Sequence, residues 1–191
     1  MPPVPDPPRR EPATARFPVV GIGASAGGLE ALQQFFSHMP ADSGMGFVVV
    51  THQHPSHVSL LPSLLSKASP MPVVEARDGL NVEPNRVYVG PPGGVLGIAG
   101  GILQRRDVNA GCTPHLPIDY FFRSLAIDQR EHAICVVLSG TGTDGTLGMR
   151  VCLRPGNRIS SWNMSGATTL TATATNARST WKRVSACSST C

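Results

Sequence analysis

Residues 17–36, FPVVGIGASAGGLEALQQFF, contain the pattern that decides the fold. A short apolar run at 17–22 predicts a strand, and a glycine-rich turn follows it at 23–28. Apolar residues then recur at the spacing of a helix, at Leu29, Leu32, Phe35 and Phe36. The order of strand, glycine-rich turn and helix is typical of the first unit of an α/β domain.

Two later stretches repeat this order. The β-branched run 46–50 predicts a buried strand, followed by a histidine-rich turn and a helix near 60–67. The run 133–138 predicts another buried strand, which ends in the glycine-rich loop 139–145 ahead of a helix that begins near Thr146. The sequence between them predicts extended pieces at 73–76, 86–89 and 94–103 and a helix at 118–126 introduced by Pro117. We therefore predict a doubly wound, mostly parallel, Rossmann-like three-layer α/β fold, with its ligand site at the carboxyl ends of the strands.

The composition fits one globular domain and excludes several other classes. The chain has 191 residues, of which 41% are apolar and 15% charged, which excludes a disulfide miniprotein and a coiled coil. No apolar run approaches the roughly 20 residues that span a bilayer, and the start lacks a signal peptide's apolar stretch. We therefore expect a cytoplasmic protein without direct membrane insertion. The five cysteines form no CxxC pair, so the sequence indicates neither a zinc site nor a disulfide framework.

The net charge of +4 is unevenly distributed. Residues 151–191 contribute +5, and residues 1–150 therefore contribute −1. The basic residues of the C-terminal stretch are scattered among serines and threonines rather than gathered on one amphipathic face. We therefore do not expect binding to nucleic acid.

These patterns divide the chain into three parts. Residues 1–16 are a proline-rich lead-in with the composition of a disordered segment, and residues 17–150 hold the α/β pattern. Residues 151–191 contain 14 serines and threonines, no acidic residue and no sustained helical or strand periodicity.

The first glycine-rich turn admits three interpretations. Gly21, Gly23 and Ala26 fit a permissive dinucleotide-binding fingerprint, or more generally a phosphate-binding loop, but the second predicted strand ends in Thr51-His52 without the acidic residue that binds ribose. Ser25 can instead be a nucleophile on a tight turn between strand and helix. The third interpretation is that Ser25 caps the following helix, which is a common role for serine at such a position.

Histidine and aspartate at later strand ends favour the nucleophile. The turn after the second strand carries His52, His54 and His57, of which His52 directly follows the strand. These histidines could also bind a metal ion, although no acidic or cysteine ligand lies beside them. Asp144 lies in the loop after a later strand, where it can orient a histidine base or cap the helix near Thr146. Serine hydrolysis needs a base and an orienting carboxylate, which the strand ends of one parallel sheet can bring together.

Four motifs occur in an order that resembles a known family. The chain is similar to the catalytic domain of the CheB-type protein-glutamate methylesterases of bacterial chemotaxis, and most of all to the domain at the front of methylesterase-methyltransferase fusion proteins. The resemblance covers about residues 17–150. The motifs are GIGASAGG at 21–28, VVVTH at 48–52, PIDYFFRSLA at 117–126 and VVLSGTGTDGTLGMR at 136–150.

The resemblance implies a catalytic triad of Ser25 as nucleophile, His52 as base and Asp144 as orienting carboxylate. Family members often have Gln-His at the base, which would point to His54, but the segment aligns without a gap only if His52 is the base. The oxyanion would bind backbone amides of the loop around Ser25 and Ala26, and no metal or cofactor would be required.

The implied activity is hydrolysis of glutamate γ-methyl esters on the cytoplasmic domain of methyl-accepting chemotaxis receptors, with release of methanol and with deamidation of receptor glutamines as a second reaction. A methyltransferase module is a further implied partner. The family's phosphorelay control uses a receiver domain ahead of the esterase, and a lead-in of 16 residues cannot contain one, so we expect no control by phosphorylation in cis. The alternatives are an inactive remnant or binding module of the same fold, and a nucleotide- or phosphate-binding domain.

The sequence departs from the family pattern near Val151, and a frameshift or a misassigned end of the reading frame is one hypothesis for this change. The hypothesis predicts that resequencing of the locus restores a family-like continuation in place of residues 151–191. An intact reading frame would show that the basic stretch is genuine.

Overall fold

The computed structural model describes residues 17–25, 27–52, 59–107, 116–138, 144–152 and 158–159. None of the helices in these ranges is both long enough and apolar enough to cross a membrane. A short 3₁₀ helix, Arg130–His132, precedes β7. The strands and α-helices, in chain order, are β1 (Val19–Ala24), α1 (Leu29–Ser37), β2 (Gly46–Thr51), α2 (Leu61–Ser66), β3 (Val73–Glu75), β4 (Arg86–Val89), β5 (Gly94–Ala99), β6 (Ile102–Asp107), α3 (Pro117–Gln129), β7 (Ala133–Leu138), α4 (Thr146–Cys152) and β8 (Arg158–Ile159).

Six of these strands form one sheet in the order β3-β4-β2-β1-β7-β8, and every neighbouring pair is parallel. Strands β5 and β6 form a separate antiparallel hairpin. The predicted parallel α/β fold is confirmed. Strand β1 begins at Val19, two residues later than the sequence predicts, because Pro18 has no N–H to donate and only its carbonyl takes part, accepting a hydrogen bond from Gly46 at 3.0 Å.

The sheet is covered on both faces, so its strands are apolar on both sides. Helices α1 and α2 pack on one face, where Phe35, Phe36 and Phe47 meet edge to face. Helix α3 and the β5-β6 hairpin pack on the other face. Alternate residues of β1 show the division, because Val20 and Ile22 belong to the first core and Val19 to the second.

Helix α3 lies very close to β1 because two residues of that strand have no side chain. A Cβ at Gly21 would lie 2.8 Å from Cδ2 of Leu125, and a Cβ at Gly23 would lie 2.4 Å from Cγ2 of Ile118. Both distances are shorter than carbon atoms tolerate, so any other residue would force these side chains, or the helix that carries them, to shift. The glycine spacing that resembles a dinucleotide fingerprint therefore serves close packing of a helix on the sheet.

The β5-β6 hairpin is attached to α3 by hydrogen bonds. The carboxylate of Asp128 accepts the backbone N–H groups of Gly100 and Gly101, at 2.5 and 3.0 Å. The hydroxyl of Ser124 accepts the N–H of Ile98 at 3.1 Å. The last turns of α3 thus hold the hairpin, which leaves the first turn to face the carboxyl ends of the strands.

One strand lies beyond residue 150, where the sequence analysis ends the α/β domain. Strand β8 pairs with β7 through Ile134 with Arg158 and Cys135 with Ile159. The sequence does not predict this strand, because two residues are too few to show a period. The remainder of the basic stretch, 153–157 and 160–191, lies outside the described residues, as does the lead-in 1–16.

We expect that Gly23→Ala lowers the free energy of unfolding by about 1–3 kcal/mol, because the added methyl group collides with Ile118 in a packed core. Urea denaturation measures this change. The matched control is Gly97→Ala, on a strand that also faces α3, where the nearest atom is the ring edge of the partly exposed Tyr120 at 3.2 Å. Equal losses for the two variants would contradict the role of Gly23 in helix packing.

Candidate functional site

The strand register brings the three predicted residues to one edge of the sheet. Ala24 of β1 pairs with Thr51 of β2 on one side and with Leu138 of β7 on the other. Ser25 and His52 are therefore the next residues along two neighbouring strands, whose spacing in a sheet is about 4.8 Å. Asp144 follows β7 on the opposite side of β1.

A crevice is expected at this edge because the connections diverge there. Helix α1 leaves β1 on one face of the sheet, whereas α3 enters β7 on the other face. Open parallel sheets bind ligands at such a switch point, beyond the carboxyl ends of the strands.

The imidazole of His52 contacts the carboxylate of Asp144. The distance between Nε2 of His52 and Oδ2 of Asp144 is 2.5 Å. The two side chains differ in burial, since 42% of His52 is exposed against 3% of Asp144. A buried carboxylate thus holds one edge of an imidazole that is partly open to solvent, and Nδ1 is the ring nitrogen left for a second partner.

Two backbone amides of α3 fix the carboxylate. The N–H of Ile118 donates to Oδ2 of Asp144 at 3.1 Å, and the N–H of Asp119 donates to Oδ1 at 2.9 Å. Pro117, the first residue of α3, has no N–H to satisfy. Asp144 therefore caps α3, a helix that is distant from it in sequence. The positive end of the α3 dipole also favours the negative charge.

Asp119 belongs to the same cluster, and sequence reasoning missed it. Its side chain is buried, with 3% of the residue exposed, and its Oδ1 accepts the N–H of Gly148 in α4 at 2.5 Å. The available signal was an acidic residue in the first turn of a helix that begins with proline, which is a typical capping position.

Ser25 lies in a tight turn between β1 and α1. Its carbonyl accepts the N–H of Gly28 at 2.9 Å, and Gly27 has a φ of 94°, a value that favours glycine and is typical of a type II turn. The N-cap of α1 is Gly28, so Ser25 precedes the capping position by three residues. The half-buried Ser25 therefore occupies the turn itself.

Three other residues predicted for this edge are not among the described ones. His54 and His57 lie outside the described residues, and so does Ala26, to whose amide we assign part of the oxyanion site. Within the described ranges, no three histidine, cysteine or acidic side chains are grouped as metal ligands would be. The described arrangement of a serine beside a carboxylate-held imidazole fits nucleophilic hydrolysis.

Comparison with known proteins agrees with this chemistry. Residues 20–165 match the family model described as CheB methylesterase, a match that extends past residue 150 and includes β8. A protein-glutamate methylesterase/protein-glutamine glutaminase of Xanthomonas oryzae is 36% identical over 162 residues, which are 78% of this chain and 45% of that protein. A protein of the same name from Syntrophus aciditrophicus is 33% identical over 141 residues, 72% of this chain and 40% of that protein. The chain thus spans less than half the length of these curated relatives.

The fold agrees with a solved structure as well. The crystal structure of the Thermotoga maritima CheB methylesterase catalytic domain superposes with a TM-score of 0.68 and 28% sequence identity, covering 76% of this chain and 79% of that one. The family model alone matches well over half of the chain. The chain therefore belongs to the CheB methylesterase family.

Proposed function

We propose that the protein is a serine hydrolase that removes the methyl group from glutamate γ-methyl esters on methyl-accepting chemotaxis receptors. The observation that carries this proposal is the contact of His52 with the buried Asp144. His52 follows β2, the strand next to the one that Ser25 follows. The curated relatives are named for methylesterase and glutaminase activities, which supports the same chemistry.

In the proposed mechanism, Ser25 is the nucleophile and His52 is the base. Nε2 of His52 is engaged with Asp144, so Nδ1 takes the proton from the Ser25 hydroxyl as its oxygen attacks the ester carbonyl. The ring would thus be used in the opposite sense to chymotrypsin, where the carboxylate contacts Nδ1. The imidazolium then returns the proton to the leaving methoxy group, and methanol departs.

The second half of the reaction uses the same groups. His52 takes a proton from water, whose oxygen attacks the ester between Ser25 and the glutamate side chain, and the free γ-carboxylate leaves as Ser25 regains its proton. A glutamine substrate would follow the same steps with ammonia as the first leaving group. Backbone amides around Ser25 and Ala26 are the proposed donors to the oxyanion in both halves.

Asp144 has an electrostatic role in this mechanism. Each proton transfer to His52 creates an imidazolium, whose positive charge the carboxylate stabilises at a distance of 2.5 Å. Because Asp144 is buried and held by two helix amides, it is already oriented before the charge forms. The proposed scheme needs no metal or cofactor.

The proposed partners follow from the substrate. A receptor's cytoplasmic domain presents the methylated glutamates, which places the enzyme in the cytoplasm, and a methyltransferase module supplies the methyl esters that the enzyme removes. We include no nucleic acid among the partners. A folded protein without esterase activity would instead support a binding module of the same fold.

We expect Ser25→Ala to reduce methanol release from a methylated receptor fragment by about 10⁶-fold, and Asp144→Asn to reduce it by about 10⁴-fold. Ser25→Ala removes the nucleophile. Asn at position 144 keeps one oxygen, which can accept only one of the two α3 amides, and it loses the negative charge that faces His52. The control is Ser37→Ala, at the exposed end of α1, which should retain full activity. A folded Ser25→Ala variant that still releases methanol at the wild-type rate would exclude the proposed nucleophile.

We also expect His52→Gln to abolish methanol release and His54→Gln to leave kcat within about threefold of wild type, because His52 is the histidine that contacts Asp144. Single-turnover kinetics with the same receptor fragment measure both variants. The opposite result, with loss confined to His54→Gln, would move the base to His54.

A further inference from the structure

We propose that Asp119 is a positioning residue that holds Asp144 where it can orient His52. This inference rests on the proposed esterase function and adds a group to it. Among the described residues, the hydrogen bonds of Asp119 go to Asp144 and Gly148 rather than to His52. Asp119 would therefore act on His52 through Asp144.

The geometry that supports the role is a reciprocal pair of hydrogen bonds. The N–H of Asp119 in α3 donates to the side chain of Asp144, at 2.9 Å. The N–H of Gly148 in α4 donates to the side chain of Asp119, at 2.5 Å. Asp144 lies two residues before the start of α4, so each helix supplies an amide to a carboxylate that belongs to the other helix or to the turn ahead of it.

This pair controls both ends of the Asp144 side chain. The α3 amides fix the carboxylate. The position of α4 restricts the main chain of Asp144, because only Gly145 separates Asp144 from the first residue of that helix. Asp119 joins the two because its side chain holds the first turn of α4 against α3. If that contact is lost, the main chain of Asp144 can move, which tilts the carboxylate on the α3 amides and changes its contact with His52.

Glycines on α4 allow the close contact. A Cβ at Gly148 would lie 2.8 Å from Cβ of Phe122 and 3.0 Å from Cα of Asp119. Gly145 has a φ of 93°, in the left-handed region, and a Cβ there would lie 3.0 Å from Cγ2 of Ile118. The two glycines therefore let α4 reach Asp119 and let the chain turn directly after Asp144.

The burial of Asp119 is costly, which argues against a purely structural cap. Among the described residues, its Oδ2 has no hydrogen-bond partner, although the side chain is buried. Asp128 of the same helix, in contrast, accepts backbone amides with both oxygens. A buried carboxylate with an unused oxygen is destabilising, so it needs an explanation, and a role at the site is one.

The test is the kinetics of Asp119→Ala in the full chain. We expect kcat for methanol release from the methylated receptor fragment to fall about 10- to 100-fold, as for other small displacements of catalytic groups, with KM within about twofold of wild type. Asp119→Asn keeps an oxygen that can accept the Gly148 amide, and it should retain kcat within about threefold. Proton NMR of the His52 ring N–H supplies a second readout, because Asp119→Ala should weaken or shift the signal of the hydrogen bond to Asp144.

The matched control is Asp128→Ala. It removes an aspartate of the same helix that accepts two backbone amides, so it should lower Tm while leaving kcat and the His52 signal unchanged. Gly148→Ala provides an independent route, since it separates α4 from Asp119 without altering the carboxylate, and should reduce kcat in the same way even if Asp119→Ala fails to fold.

Several results would overturn the role of Asp119. These are a folded Asp119→Ala variant with wild-type kcat, an Asp119→Asn variant as impaired as Asp119→Ala, or an equal loss of kcat in Asp128→Ala. Loss of activity in Asp144→Asn together with wild-type kcat in Asp119→Ala would reject this inference and leave the proposed function intact. A wild-type protein that releases no methanol would reject the proposed function itself, and with it the inference that rests on it.

Discussion

Helix α3 approaches β1 to a distance that only glycine at positions 21 and 23 permits, and the candidate site depends on this approach. The helix starts at the edge of the sheet where β1 and β2 end, so its first free amides are available to a residue that follows β7. A larger side chain at Gly23 would displace Ile118, whose N–H is one of the two donors to Asp144. The packing of the core therefore determines the position of the carboxylate.

The carboxylate in turn fixes the orientation of a partly exposed histidine. An imidazole at the surface samples many orientations, and fixing it costs side-chain entropy of the order of 1 kcal/mol. The contact with Asp144 offsets this cost. Asp144 adds little entropy cost of its own, because two amides and burial already set its orientation. His52 can thus stay open on the side from which a protein substrate must approach, while its other edge is held from within the domain.

Local sequence patterns were sufficient for the elements of this fold and insufficient for the contacts between them. The bounds of β4 and β7 agree with the apolar runs that predict them, since buried parallel strands have a clear composition. The short strand β8 has no such signal, and its pairing with β7 emerges only in the folded sheet. The placement of Ser25, His52 and Asp144 after the ends of three adjacent strands follows from the strand order, which neither periodicity nor turn residues specify.

The two aspartates show the same limit most clearly. An Asp-Gly pair ahead of a helix predicts a cap for that helix, yet the amides that bind Asp144 come from α3, 25 and 26 residues earlier in the chain. Asp119 has the complementary relation, since it lies in the first turn of α3 and accepts an amide of α4. Each aspartate caps a helix to which it does not belong. A short stretch of sequence therefore does not contain both the aspartate and the amide that it accepts.

This exchange of caps joins stability to the site. An N-terminal cap is worth about 1 kcal/mol, so replacing either aspartate weakens a helix end as well as the geometry at His52. Loss of activity alone therefore does not identify what either residue does. Substitution by Asn separates the contribution to helix stability from the contribution to activity. An Asn side chain keeps one oxygen that accepts a backbone N–H group but lacks the negative charge. At position 144 the charge faces an imidazole, so acceptance alone is insufficient, whereas at position 119 the described partner is a neutral amide, and acceptance is what the geometry uses.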